Sequence, residues 1–548
     1  MSLVAIDLET NLAHDTIWCM SLTDGDETFT VYDAESAKKA LSRYTELTAH
    51  NGIGFDYPVL ERVWGIDLSR FKLMDTLVLA RLYRPVIKNG HSLKAWGRRM
   101  KFDKLDFDVE DFDGGLTPEM VEYCERDTEV CFELHRRLMK KLAGNDQAIE
   151  IEHAVAEIIC QQEKNGFAFD EQQASLLHAR VQDRMYEIEA SLQTVFPPIV
   201  HERWSEKTGK RLKDKVEVFN PGSRQQIARR LQSLGWKPTK FTEAGNVIVD
   251  ETTLEGLDFP EGQLMGEYLM LQKRDGMLKA WFKAVTAEGR IHGRVNPNGA
   301  VTGRMTHSNP NLGQIPSTKK PFGKECRALF TVEEGNVLVG SDLSGIELRC
   351  LAHYMDDPDY TRELLEGDIH TVNQHAAGLS TRDQAKTFIY AFLYGAGAEK
   401  IGSIVGGSSA RGKKLIENFL AAVPKLGDLK RRILREMKVN RKRIKGLDGR
   451  WLEVRSEHSA LNTLLQNAGA IVAKQWLIEL HKELDARDLE VKQVAMVHDE
   501  VQIECHPDIA EEVAQICRDA AVTAGEVLGM NCPVAAEADI GRTWLETH

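Results

Sequence analysis

Apolar residues follow two rhythms along this chain. Up to about residue 145, strand-length apolar runs such as LVAIDLE, beginning at Leu3, alternate with amphipathic helical segments. That pattern predicts an α/β unit. From about 146 to 290 helical spacing takes over, as in EIEHAVAEIICQQEKNG and QLMGEYLMLQKRDGMLKAWFKAV, broken between Phe196 and Asp258 by Pro, Gly and charge. GRIHGRVNPNGAVTGRMTHSNPNLGQIP, from Gly289 to Pro316, reads as loop. A strand and helix follow around Asp342, then a helical block from about 370 to 445, then a region of strands and helices. The chain shows no internal repeat and no low-complexity tract.

Two of the predicted strands end on acids where a structural strand would carry another Val or Ile: Asp342 in VLVGSDLSGIELR and Asp499 in AMVHDEVQIE. An unpaired carboxylate costs several kcal/mol to bury, so such acids face a cleft and hold a cation. The alternating flanks of His498-Asp499 predict a tight hairpin with the acid at its tip. Between the two acids, SxxD at Ser380 to Asp383 reads as a capping box opening the helix TRDQAKTFIYAFLYGAG. Arg382, Lys386, Tyr390 and Tyr394 recur four apart along one stripe of it, while Phe388, Phe392 and Leu393 point elsewhere. Cations in first turns oppose the helix dipole, so stability alone would favour Glu there. Placed so, they make an anion trap suited to a triphosphate. Glu347, in the first turn of GIELRCLAHYM, has an ordinary helix-start reading beside any functional one.

The amino-terminal run carries its own acids. Asp7 and Glu9, at i and i+2, share a strand face. With Asp56 in HNGIGFDYPVL, and with Tyr123 and Asp127 one helical turn apart in MVEYCERDTEV, they form the order DxE, D, YxxxD. Converging carboxylates and a water-orienting tyrosine suggest a two-metal nuclease. Asp75 in LMDTLVLARL is a decoy, an acid better read as a helix N-cap.

At 548 residues, with 42% apolar and 28% charged content, the chain fits a soluble protein of three or four domains. No apolar run approaches the roughly 20 residues of a membrane span, and a strand at Leu3 leaves no room for a leader, so the cytoplasm is expected. The nine cysteines are scattered without a CxxC pair and read as reduced core residues. A net charge of −13 looks wrong for a polyanion binder, but phosphate contacts depend on local patches. Lys425 to Arg455 holds 12 Lys/Arg against 4 Asp/Glu, and RWSEKTGKRLKDK (Arg203 to Lys215) is also basic; either could be a solvated helix face. The acidic stretch DKLDFDVEDFD, Asp103 to Asp113, should face away from any polyanion.

DLSGIELR, RDQAKTFIYAFLYG and VHDE, in order, resemble the three motifs of family A (DNA polymerase I-like) DNA polymerases, and the amino-terminal acids resemble the motifs of its 3′–5′ proofreading exonuclease. VNPNGAVTGRMTH, GDIHT, KGLDGR and LNTLLQNAGA are similar to the short bacteriophage replicative branch. The resemblance implies an α/β ribonuclease H-like exonuclease over 1–145, a thumb and connecting region over 146–335, a palm split between 336–372 and 446–548, and fingers over 373–445. It implies Mg²⁺, two ions per active site with Mn²⁺ as a substitute, held by Asp342, Asp499 and the Leu343 carbonyl in one site. Asp7, Glu9, Asp56 and Asp127 would hold ions in the other, with Tyr123 positioning water. Arg382, Lys386 and His370 would contact the incoming triphosphate, Lys386 being the candidate acid toward pyrophosphate. Tyr390 would stack by the incoming base, with Glu347 paired to it and crowding a ribose 2′-hydroxyl. Tyr394 would stack at the template position, and Arg304, Gln466 and His498 would touch the primer–template. A tyrosine at position 390 is associated in the family with acceptance of dideoxynucleotides.

The implied partners are primer–template DNA, deoxynucleoside triphosphates, a helicase-primase and a single-stranded DNA-binding protein in an infected cell. The short region between Phe196 and Phe219 argues against recruited host thioredoxin, and the start at the exonuclease argues against a 5′ nuclease domain. Two rivals remain: a single-subunit RNA polymerase, which should lack the exonuclease acids and Glu347, and a stand-alone exonuclease or DNA-binding replication subunit, which should have lost a metal ligand.

Overall fold

The computed structural model of the chain describes residues 2–105, 113–258 and 260–548. The middle of the acidic stretch, 106–112, lies outside the described residues. The amino-terminal unit is built on a five-stranded sheet in the order β3-β2-β1-β4-β5: β1 Leu3–Thr10, β2 Ile17–Thr23, β3 Thr28–Val31, β4 Glu46–Ala49 and β5 Lys72–Asp75. The central strand β1 runs antiparallel to β2 and parallel to β4. A strand covered on both faces needs a continuous apolar run, and Val4, Ala5 and Ile6 are fully buried. Asp7 and Glu9 break that run. The helix Pro118–Lys141 lies against the sheet, started by Pro118 and by the Thr117 hydroxyl, which accepts from the Met120 N–H. The α/β expectation is met here.

The helix Asp146–Asn165 leaves this unit: Ile149 belongs to the amino-terminal core, whereas Ile151, Val155 and Ile159 enter the large carboxy-terminal core. Two 25-residue helices, Glu171–Val195 and Pro260–Ala284, then pack on each other. The basic stretch Arg203 to Lys215 between them is not a helix face. Ile199–Trp204 and Arg211–Glu217 pair as an antiparallel hairpin. Val200 and Trp204, like Leu212 and Val216, are four apart, a spacing that fits either element, and the pairing of the two runs decides for strands.

A four-stranded antiparallel sheet, in spatial order Val491–Val497, Glu500–Cys505, Val337–Leu343, Ala536–Gly541, anchors the second half. The helices Ala460–Ala486 and Ala510–Val527 pack together beside it, and the first is buried along most of its 27 residues. The helix Arg382–Leu393 buries Phe388, Ile389, Phe392 and Leu393, as its spacing required. Its cap differs from the sequence reading. Thr381, not Ser380, accepts the Gln384 N–H (3.2 Å), and Ser380 sits one residue outside, donating its own N–H to the Gln384 side chain. All nine cysteines are free, eight of them buried. Among the described residues no helix is long and apolar enough to cross a membrane.

Candidate active sites

Folding brings Asp342 and Asp499 onto neighbouring strands. Asp342 closes the strand Val337–Leu343 opposite Glu500, and Asp499 occupies the two-residue turn that follows Val497. His498, the other turn residue, takes a left-handed backbone (φ 62°), and the Leu343 N–H donates to the Asp499 carbonyl at 3.0 Å. The hairpin predicted from alternation is present with the acid at its tip.

The electrostatics of these acids are uneven. Burial in the cleft, then the charges of Asp499 and Glu500, push Asp342 up to about 7. Burial and Glu347 push Asp499 up to about 6. Burial raises Glu500 as well, yet the His548 imidazole (3.0 Å), the Trp544 indole N–H and the charge of Arg327 hold it below its ordinary range, and the Gln502 amide also donates to it (2.7 Å). Glu500 thus has close protein partners, whereas Asp342 and Asp499 stay raised despite the opposing charges of His548 and Arg304. A pair of crowded carboxylates at a cleft fits a divalent cation.

Arg304, Glu347, Gln466, His498 and Asp499 line one small crevice beside this pair. Three of the motifs noted in the sequence meet here. The Asn467 side chain donates to the Thr302 carbonyl (3.0 Å) and accepts the Leu447 N–H (3.1 Å), tying LNTLLQNAGA to VTGRMTH and KGLDGR. Arg450 of the basic stretch is buried in an ion-pair network with Asp448 and Glu152, and Lys474 joins through Glu152 at 2.5 Å. It is therefore not a surface cation. His307, which the sequence reading passed over, stacks edge-on to His498 at 6.5 Å.

Along the helix Arg382–Leu393, Lys386 is exposed and, among the described residues, has no ion-pair partner. Arg382 instead donates to the Asp368 carboxylate at 2.7 Å. Asp368 also caps the helix Ile369–Ala377 through the His370 N–H, so one acid sets both cationic elements. The His370 Nδ1 is buried without a hydrogen-bond partner, and burial with Arg382 and Lys386 nearby keeps its ring below the usual histidine range. Its ring lies 6.4 Å from that of Tyr390. The expected pairing of Glu347 with Tyr390 is corrected: Glu347 accepts from the Tyr394 hydroxyl at 3.1 Å. Tyr394 sits at the C-cap of its helix and its hydroxyl meets Glu347 in the first turn of Ile346–Met355.

The amino-terminal acids also converge. Burial, followed by Asp56, Asp127 and Glu9, lifts Asp7 well above a normal carboxyl. Burial and Asp127 push Glu9 up to about 7, and burial and Asp75 push Asp56 up to about 7. Asp127 is raised by burial against the opposing pull of Lys104. Its Oδ1 is buried with no hydrogen-bond partner, an acceptor left for a ligand. Oxygen donors in this number suit a hard cation such as Mg²⁺. Ligand atoms of Asp7, Glu9 and Cys124 also lie within 4.8 Å of one another. Burial pushes the Cys124 thiol well up, however, and it donates to the Asp7 carbonyl, so it is a packing group. Asp75 is the N-cap expected, accepting the Leu77 N–H at 2.8 Å. Lys104, absent from the sequence reading, pairs with Asp127 and donates to the Tyr123 hydroxyl at 2.8 Å.

A profile of DNA polymerase family A matches residues 200–546. The chain belongs to DNA polymerase family A. This family A member is 36% identical to the DNA-directed DNA polymerase of Enterobacteria phage T3, over 91% of this chain and 92% of that protein. It is 35% identical to that of Escherichia phage T7, over 94% of each. The POL domain of Pol1 from M. smegmatis, solved in complex with DNA primer-template and dNTP, superposes with a TM-score of 0.82 over 99% of this polymerase and 95% of that chain. At 20% identity that likeness bears on the fold.

Proposed function

We propose that this phage-like family A polymerase extends a DNA primer on a DNA template from deoxynucleoside triphosphates, and that its amino-terminal unit removes misincorporated 3′ nucleotides. The observation that carries the reading is the pair of separate acid clusters, each crowded enough to favour cations, one of them near the helix of Arg382, Lys386 and Tyr390, with His370 on the neighbouring helix. The sheet order β3-β2-β1-β4-β5, antiparallel then parallel, supports a ribonuclease H-like exonuclease over 1–145. The four-stranded antiparallel sheet supports a palm over 336–372 and 446–548, flanked by a thumb and connecting region over 146–335 and fingers over 373–445.

In synthesis the primer 3′-oxygen attacks the α-phosphate in line and pyrophosphate leaves, with positioning supplying much of the acceleration. Asp342 and Asp499, with the Leu343 carbonyl, would hold Mg²⁺, which when bound neutralises phosphate charge and favours the ionised 3′-oxygen. Arg382, Lys386 and His370 grip the triphosphate, and Lys386 hands a proton to the departing pyrophosphate. Tyr390 backs the incoming base, Glu347 limits space at the sugar 2′ position, and Tyr394 meets the template. Arg304, Gln466 and His498 hold the primer–template at the crevice they share. In the exonuclease, Asp7, Glu9, Asp56 and Asp127 would hold Mg²⁺ and Tyr123 orients the attacking water.

A matched and a 3′-mismatched primer on DNA and RNA templates, with Mg²⁺, test the reading. The wild type extends the matched primer on DNA and trims the mismatch before extending it, and Asp7→Ala with Glu9→Ala leaves the mismatch in place. Equal trimming by that double variant, or preference for ribonucleotides, would overturn the proposal.

A further inference from the structure

We propose that Lys104 is a positioning residue of the proofreading exonuclease, an inference that rests on the exonuclease reading above. Its ammonium pairs with the Asp127 carboxylate and donates to the Tyr123 hydroxyl, the two residues assigned to ion holding and water orientation. Lys104 occupies Asp127 Oδ2 and leaves Oδ1 buried and unpartnered, so the carboxylate is oriented and still has one oxygen to give. Among the amino-terminal acids, Lys104 is the cation whose charge bears on Asp7, Glu9 and Asp127 alike. Partial burial pulls its own proton affinity down, but Asp127 and Tyr123 hold it above the ordinary lysine range.

The segment that delivers Lys104 is fixed from below. Arg126, one residue before Asp127, donates to the Asp103 carbonyl at 2.8 Å and lies 3.9 Å over the Phe102 ring. The Phe102 N–H donates to the Gly97 carbonyl at 3.0 Å. The helix bearing Tyr123 and Asp127 therefore clamps the segment, and the segment's lysine in turn clamps both side chains. A surface ion pair needs none of this, and such a pair would not link two residues with separate catalytic duties. Outer groups that orient ligands change activity or metal affinity by about 10- to 100-fold when removed.

The test uses the full chain as Lys104→Met, Lys104→Gln and Lys104→Arg, with melting curves to verify folding. Degradation of single-stranded DNA is measured as kcat and KM, and Mn²⁺ binding by electron paramagnetic resonance in an Asp342→Ala/Asp499→Ala background, which leaves the amino-terminal acids to bind. The expected result is a kcat about 10- to 100-fold lower in Lys104→Met and Lys104→Gln, an unchanged KM, partial recovery in Lys104→Arg, and Mn²⁺ held at least as tightly because a competing cation has gone. Unchanged kcat would overturn the role. A kcat loss that merely tracks weakened Mn²⁺ binding would also overturn it, since Lys104 would then be a scaffold for the ion site. If wild type shows no degradation sensitive to Asp7→Ala with Glu9→Ala, the exonuclease reading itself falls; if it does and the Lys104 variants match it, only the lysine's role falls.

Discussion

Replacing Glu9 with Gln should stabilise the protein without bound metal, and the gain should depend on pH. Glu9 is 7% exposed, and burial and Asp127 raise its carboxyl from 4.5 to about 7. A group whose folded-state affinity for protons is raised costs stability when it must ionise. Below about 4.5 both folded and unfolded states carry the proton, and Glu9 contributes nothing. Between about 4.5 and 7 the unfolded chain loses its proton first and stability falls; above about 7 the full penalty is present. At ~1.4 kcal/mol per pH unit the shift amounts to ~3 kcal/mol. A buried amide short of partners gives back ~1 kcal/mol, for a net gain of ~2 kcal/mol. For a unit of this size that is ~4–8 °C in the amino-terminal melting transition. The assay is calorimetry in EDTA from pH 4.5 to 8.5. Glu9→Gln should match or fall slightly below wild type at pH 4.5 and exceed it at pH 8. Adding Mg²⁺ should lift wild type and narrow the gap, because an ion that binds the folded state stabilises it. A variant less stable than wild type at pH 8, or a difference indifferent to pH, would refute the idea of crowded acids awaiting a cation.

Three further outcomes follow from other parts of the structure. Tyr390→Phe should reduce incorporation of dideoxynucleotides relative to deoxynucleotides in single-nucleotide assays, with little effect on folding; unchanged selectivity would remove Tyr390 from the sugar site. Glu152→Ala strands the buried Lys474 charge and leaves Arg450 with Asp448 alone, and breaking such a network should cost about 3–5 kcal/mol in denaturant melts. Affinity for primer–template should fall steeply between 50 and 200 mM salt, and Lys/Arg replacements in the exposed hairpin Ile199–Glu217 should flatten that slope if it meets phosphates.

What the sequence made legible was chemistry that violates local pattern. Asp7, Glu9, Asp342 and Asp499 stand out because a carboxylate interrupts an apolar strand, and cations at the start of the Arg382 helix stand out because the dipole disfavours them. The helix face with Phe388 and Phe392 followed from spacing alone, and the Asp75 cap from its place before an apolar run. Partners that depend on the tertiary fold were not legible. Lys104 sat unnoticed in an otherwise acidic stretch, since nothing local says that a lone lysine will turn back onto a helix 19 residues on. The Glu152–Lys474 pair spans 322 positions and reads, residue by residue, as ordinary surface charge. The exchange of Tyr390 for Tyr394 at Glu347 depends on where one helix ends against the start of another. Ser380 and Thr381 are both good caps, and local sequence alone does not choose between them.

Two clusters of acids, set apart by folding, are proposed to perform two opposed reactions in one chain. The most direct measurement follows primer extension and 3′–5′ degradation side by side for Asp342→Ala, Asp499→Ala and the Asp7→Ala/Glu9→Ala pair. The first two should abolish extension and keep degradation, while the third should keep extension and abolish degradation. Loss of both reactions from folded protein in any one of them would contradict it.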